Sequence, residues 1–339
     1  MTPTTSVSRA RELAVRPQGA VAALLAPGGA VAGPAIETHG LTKRYGARTV
    51  VDGLDIEVPH GVIAGFIGPN GAGKTTTLRM LLGLVRPTAG EGRVLGVPLT
   101  VSAGYLGQVG ALIESPAFYP GLSGERNLAV QAMLAGIDPA RIPVVLTRVG
   151  LDGRGMDRYK TYSLGMKQRL GIAAALLGEP SLLILDEPAN GLDPAGIREM
   201  RDLLRSLNAD GCTIFVSSHQ LVEVQQVCDW LVVIDQGRMF FQGPTGKLMA
   251  GDGDVLVVGC QPAADLLRLA ELLARRGLPA ARTGDRLSVD LAGIADTSET
   301  VAEISRIASA EKLTLIELTV TKANLEDRYL NLIPKRPLS

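Results

Sequence analysis

The residues with the plainest chemical meaning are Gly68-Pro69-Asn70-Gly71-Ala72-Gly73-Lys74-Thr75, followed by Thr76. Glycine at the turning points lets successive backbone N–H groups converge on phosphate oxygens with no Cβ in the way. A lysine after the last glycine is placed to bridge the β- and γ-phosphates of a nucleoside triphosphate, and the next hydroxyl to ligate Mg2+. A merely tight strand-to-helix turn needs neither Lys74 nor Thr75. Matching acids stand at Asp186 and Glu187, closing the apolar run Leu182-Leu183-Ile184-Leu185. Asp186 would hold the metal through its water shell, and Glu187 would polarise a water within hydrogen-bond reach. Alone, an apolar strand ending in two acids is most often a solvated strand end. Beside a phosphate loop, the pair points to phosphoryl transfer to water.

The elements that must position these groups are legible in the hydrophobic pattern. Residues 62–67 read as a buried strand, and residues 75–84 as a helix that stops near Pro87, so the loop joins strand to helix directly. Residues 182–185 and 212–217 are further buried strands of the same kind, each ending in polar residues. In open α/β sheets ligands sit at the carboxyl ends of the strands, where these polar residues fall. Between about residues 123 and 177 the strand signal gives way to helical spacing. After Gly243 the texture changes again, to a strand at 254–258, a helix at 263–276, a strand at 287–291, a helix at 299–310 and a strand at 313–320. A short polar helix over 324–332 follows. This second region reads as a small βαβαβ-like appendix without a catalytic constellation.

Bulk properties narrow the setting. A chain of 339 residues, 46% hydrophobic and 20% charged, is long enough for one large α/β domain and a smaller one. Its 34 basic and 34 acidic residues cancel, so no global field draws it to nucleic acid or anionic lipid. Cys212, Cys228 and Cys260 lack the spacing of a disulfide framework or a zinc site and fit a reducing compartment. No apolar run reaches the roughly 20 residues that cross a bilayer. Residues 19–35 superficially resemble a secretory leader, but Pro27, Gly28, Gly29 and Pro34 break the run. The first 34 residues therefore read as a flexible extension or as the product of an upstream start codon.

Just upstream of the Asp186 strand, Tyr162-Ser163-Leu164-Gly165-Met166-Lys167-Gln168-Arg169 resembles the signature motif of ABC ATPases, which other phosphate-loop proteins lack. Physically, Ser163 and Gly165 open a helix whose N-terminus suits an anion. The resemblance implies that this anion is the γ-phosphate held by an opposite subunit, so that Ser163, Leu164, Gly165 and Met166 complete a neighbour's site in a head-to-tail homodimer. Further residues match the family in order. Tyr45 resembles the aromatic that stacks on adenine, Asp193 within Gly191-Leu192-Asp193 the loop that communicates across the dimer, and His219 the histidine at the γ-phosphate. The resemblance spans residues 36–247. It departs at Glu114, where most members carry glutamine in the loop linking the subdomains. A carboxylate there is repelled by phosphate unless a cation compensates, so Glu114 is expected beside Mg2+ as a coupling residue.

The sequence around Glu114, Phe118-Tyr119-Pro120, the Tyr162-Ser163-Leu164-Gly165-Met166 form of the signature, and Asn190-Gly191-Leu192-Asp193-Pro194 with Gly196-Ile197-Arg198-Glu199-Met200 together resemble the ATPases of ABC-2 exporters of the bacitracin and lantibiotic-resistance type. The implied fold is α/β, the phosphate-loop ABC ATPase fold, with a mixed sheet core and a helical subdomain at about 115–177, plus a small α+β domain at 252–333. The implied function is hydrolysis of ATP with Mg2+ to energise a separate ABC-2 membrane permease, from the cytoplasmic face of the membrane. In this reading Glu187, His219 and Lys74 are catalytic, and Thr75, Asp186 and Glu114 serve the metal. An alternative class, soluble ABC ATPases acting on ribosomes or nucleic acid, shares the nucleotide motifs. It carries either two cassettes or a long inserted coiled coil, and neither is seen here.

Overall fold

The structure is a computed structural model that describes residues 33–114, 117–249, 255–291, 294 and 296–321. The expected extension through residue 32, Ser115 and Pro116, Asp254 and the helix at 324–332 lie outside the described residues.

In chain order the first strands are β1 (Ile36–Tyr45), β2 (Arg48–Leu54), β3 (Glu57–Val58) and β4 (Ile63–Ile67), followed by helix α1 (Lys74–Leu81). Strands β5 (Ala89–Val94), β6 (Val97–Pro98) and β7 (Val109–Leu112) lead to helices α2 (Gly124–Ala135), α3 (Arg141–Arg148) and α4 (Leu164–Leu176). Then β8 (Leu182–Asp186), α5 (Pro194–Ala209), β9 (Thr213–Ser218), α6 (Leu221–Val227), β10 (Trp230–Asp235), β11 (Arg238–Pro244) and α7 (Thr245–Met249) complete the larger region. An antiparallel sheet, β2-β1-β5-β6 with β3 beside β1, stands next to a six-stranded mixed sheet ordered β11-β10-β4-β9-β8-β7. In the mixed sheet only β11 runs antiparallel to its neighbour.

The parallel strands are largely apolar because both faces are covered. All five residues of β4 and all five of β8 are buried. On one face Phe66 stacks on Phe215 with ring centroids 5.1 Å apart, in a core shared with Leu78 of α1. Full burial contributes about 1.5–3 kcal/mol for each such side chain. The opposite face packs Leu183, Leu185, Ile214 and Val216 with side chains of α4 and α5. Helix α2 begins where Ser123 Oγ accepts from Arg126 N–H at 3.2 Å, and it ends at Gly136, whose φ of 66° suits glycine.

The C-terminal region holds β12 (Val255–Gln261), α8 (Asp265–Arg275), β13 (Ala280–Thr283), β14 (Arg286–Asp290), α9 (Thr297–Ala310) and β15 (Thr314–Thr321). Its sheet is antiparallel and ordered β13-β14-β12-β15. This is the βαββαβ, ferredoxin-like arrangement, with one more strand than the βαβαβ pattern expected from sequence. The missed strand is the edge strand β13, Ala-Ala-Arg-Thr, in which no residue is buried. Without a buried face it has no hydrophobic alternation to betray it. Leu256, Val258, Leu287 and Val289 pack against Leu266, Leu269, Leu273 and Ile304, giving this region a core of its own.

Candidate nucleotide site

Three neighbouring strands of the mixed sheet deliver the chemistry at their carboxyl ends: β4 leads into the phosphate loop, β9 into His219, and β8 into Asp186 and Glu187. The loop is held so tightly that its glycines are obligatory. A Cβ on Gly68 would come within 2.4 Å of the Ile234 carbonyl oxygen, and one on Gly73 within 2.8 Å of the Val50 carbonyl oxygen. Gly73 also caps α1 at φ 106°, in the left-handed region, and no side chain closes the helix start. The first N–H groups of α1 therefore face the loop without a side-chain cap, as anion binding requires.

Lys74 is almost fully buried. Its ammonium donates to the Gly68 carbonyl at 2.6 Å and lies 3.2 Å from Glu187 Oε1. Glu187 Oε2 is in turn 2.7 Å from His219 Nδ1. The chain thus brings Lys74, Glu187 and His219 into one continuous contact. Glu187 sits at φ 51°, a left-handed turn that lifts its carboxylate off the strand axis. Next to it, Thr75 Oγ1 donates to Asp186 Oδ2 at 2.8 Å.

Ser217 is the residue that motif reading missed. Its hydroxyl donates to Asp186 Oδ1 at 2.5 Å and accepts from the Glu187 backbone N–H at 3.0 Å. One buried serine therefore orients both acids, a consequence of the β8–β9 register that sets Asp186 opposite Ser217. The only advance signal was its place at a strand end two residues before His219.

Two expected participants lie apart from this cluster. Glu114, at φ 62°, ion-pairs with Arg79 of α1 at 2.5 Å, and its exposed carboxylate is directed to that guanidinium rather than to Thr75 and Asp186. Tyr45 is half-exposed at the end of β1, with the Lys43 ammonium 5.0 Å from its ring centre. Pro69, Asn70, Gly71 and Thr76 line the cleft beside Lys74, and Ala72 is buried beneath it.

Ser163 to Met166 occupy a different surface cleft, shared with Gly191, Leu192 and Asp193. Ser163 caps α4, its Oγ accepting from Met166 N–H at 3.2 Å, and Asp193 caps α5 by accepting from Gly196 N–H at 2.8 Å. Behind Glu187, the partly buried Glu223 of α6 has its pKa raised, first by burial and also by Glu187, against the opposing pull of Arg201 and His219. Among the described residues no group of three or more His, Cys, Asp or Glu could hold a metal by itself. The Thr75–Asp186 oxygen pair fits Mg2+ in its usual protein setting, where one or two protein ligands act together with substrate phosphates.

A family model described as ABC transporter matches residues 51–190, from β2 through the phosphate loop and signature to Asn190. The bacitracin transport ATP-binding protein BcrA of Enterococcus faecalis is 38% identical over 301 residues, covering 88% of this chain and 96% of that protein. The lantibiotic transport ATP-binding protein SrtF of Streptococcus pyogenes is 41% identical over 211 residues, covering 61% of this chain and 90% of that protein. A solved ATP-binding subunit of an ABC transporter superposes with a TM-score of 0.57 at 32% identity, covering 63% of this chain and 91% of that one. Phosphate loop, strand-end acids, signature cleft and relatives matched over almost their whole length agree, and the chain belongs to the ABC transporter family of ATP-binding proteins, as an ATPase.

Proposed function

We propose that this ATPase energises a separate ABC-2 type permease that exports peptide antibiotics, drugs or lipids. The observation that carries the reading is the Lys74–Glu187–His219 cluster beside the Thr75–Asp186 pair, together with a signature segment that lies in another cleft of the same chain. Such a division suits two copies arranged head to tail, each presenting Ser163 to Met166 to the nucleotide held by the other. The export direction and substrate class are supported by resemblance to the bacitracin and lantibiotic transport proteins.

In the proposed mechanism Glu187 orients the attacking water, and His219 holds that carboxylate and contacts the terminal phosphate. Lys74 leaves Gly68 and Glu187 to neutralise the β- and γ-phosphates. Thr75 and Asp186 would hold Mg2+, which supplies charge neutralisation on the phosphates. Catalysis then rests on positioning and electrostatics rather than on a covalent intermediate. Glu114, tied to α1 through Arg79, is suited to relay the nucleotide state to the permease.

The test is reconstitution of the chain with a multi-spanning permease in vesicles and a panel of peptide antibiotics. The expected result is ATP-dependent export that stimulates phosphate release. ATPase activity that no permease stimulates, but that ribosomes or nucleic acid do, would transfer the chain to the alternative class.

A further inference from the structure

We infer that Arg48 is a further nucleotide-binding residue, its guanidinium contacting the phosphate nearest the base. The inference rests on the reading of the cleft as an ATP site and adds a residue outside the motifs that define it. Strands β1 and β2 form a hairpin in which Arg48 pairs directly with Tyr45. Alternation along β2 sends Arg48 and Val50 to one side, where both line the cleft with Lys74 and Thr76, while Val51 is buried in the core. Val50 anchors this strand on the loop, since its carbonyl oxygen would stand 2.8 Å from a Cβ on Gly73. Arg48 therefore lies one pleat, about 7 Å, farther along the strand. That puts it beside Tyr45, one pleat from the point where the strand meets the phosphate loop.

Charge points the same way. Lys74 is assigned to the β- and γ-phosphates, so the phosphate nearest the base needs a cation of its own. Arg48 is exposed, and among the described residues no carboxylate lies within the 4.0 Å of an ion pair from it. A guanidinium in that position, with no carboxylate partner among the described residues, matches phosphate in a planar, bidentate way that an ammonium does not.

The experiment titrates the full-length chain and Arg48→Gln with ATP and with ADP by calorimetry, with melting temperatures as a fold control. Both nucleotides should weaken together, by about tenfold, as expected for one charge-assisted hydrogen bond. The KM for ATP should rise in step while kcat falls far less, and Arg48→Lys should recover only part of the affinity. Unchanged affinity of Arg48→Gln for both nucleotides would overturn the inference. A loss confined to ATP would also overturn it, by moving the guanidinium to the terminal phosphate. Wild-type protein that binds neither nucleotide would instead remove the reading of the cleft itself.

Discussion

The phosphate-loop cleft and the signature cleft are organised on opposite principles. In the first, side chains from the ends of two strands and from one helix are already joined within one chain: Lys74 to Glu187, Glu187 to His219, Thr75 to Asp186, and Ser217 to both acids. In the second, Ser163 and Asp193 are used to cap their own helices, and Leu164 is left 46% exposed. The first is preorganised for chemistry, whereas the second presents helix starts and backbone to something outside the chain. Perturbation should therefore separate turnover from stability differently in the two places.

Glu187→Gln should have the largest effect. It keeps the shape at the centre of the first cleft but removes the base, so turnover should fall by about 10²–10⁴-fold while ATP binding is retained. Phosphate release and nucleotide titration check this, and a variant that hydrolyses normally would end the assignment of Glu187. Gly165→Ala is the sharper test of the second cleft. A Cβ there would meet nothing closer than Leu192 at 3.7 Å, and Gly165 lies within α4, so alanine should leave the melting temperature unchanged or raise it. ATPase activity should nevertheless fall about tenfold or more if this surface closes on a second subunit's nucleotide. Normal activity, or a loss that tracks a lower melting temperature, would erase the contrast between the clefts.

Ser217→Ala should act more moderately and on both properties at once. It leaves the buried Asp186 with one hydroxyl donor, Thr75, in place of two, at a cost of about 1–3 kcal/mol, and loosens the pair of acids. Thermal unfolding and kcat should decline together, in contrast to Gly165→Ala. The smallest effect concerns Glu223, whose pKa is raised in the folded state, mainly by burial. Folding therefore disfavours its charged form, so its contribution to stability is fullest below the unfolded pKa and is lost as pH rises through the folded one. Glu223→Gln should raise the melting temperature slightly at neutral pH, and the difference should disappear towards acid. A difference independent of pH would mean that packing, not charge, is responsible.

The contrast between the clefts also marks how far the primary structure could be read. The phosphate loop was legible because its chemistry is contiguous: glycines, lysine and threonine follow one another, and each must be the residue it is for local reasons of Cβ clearance and charge. Asp186 and Glu187 were legible as a strand end, and the signature as a helix start, through the same short-range logic. Helical spacing before Asp186 and apolar runs of strand length were enough to expect a largely parallel α/β core with a helical insertion and a small appendix; the mixed sheet was implied by the family resemblance.

Only the tertiary structure decided what lies beside what. Ser217 became the tether of both acids because β8 and β9 are neighbours in one register. Glu114 was drawn to Arg79, 35 residues away, rather than to the Thr75–Asp186 pair. Edge strand β13 had no buried face to announce it, and Arg48 acquired meaning when β2 was laid along Gly73. Residue type and periodicity report burial and backbone freedom along one element. Lateral neighbours are set by strand order and long-range packing, which no local pattern encodes.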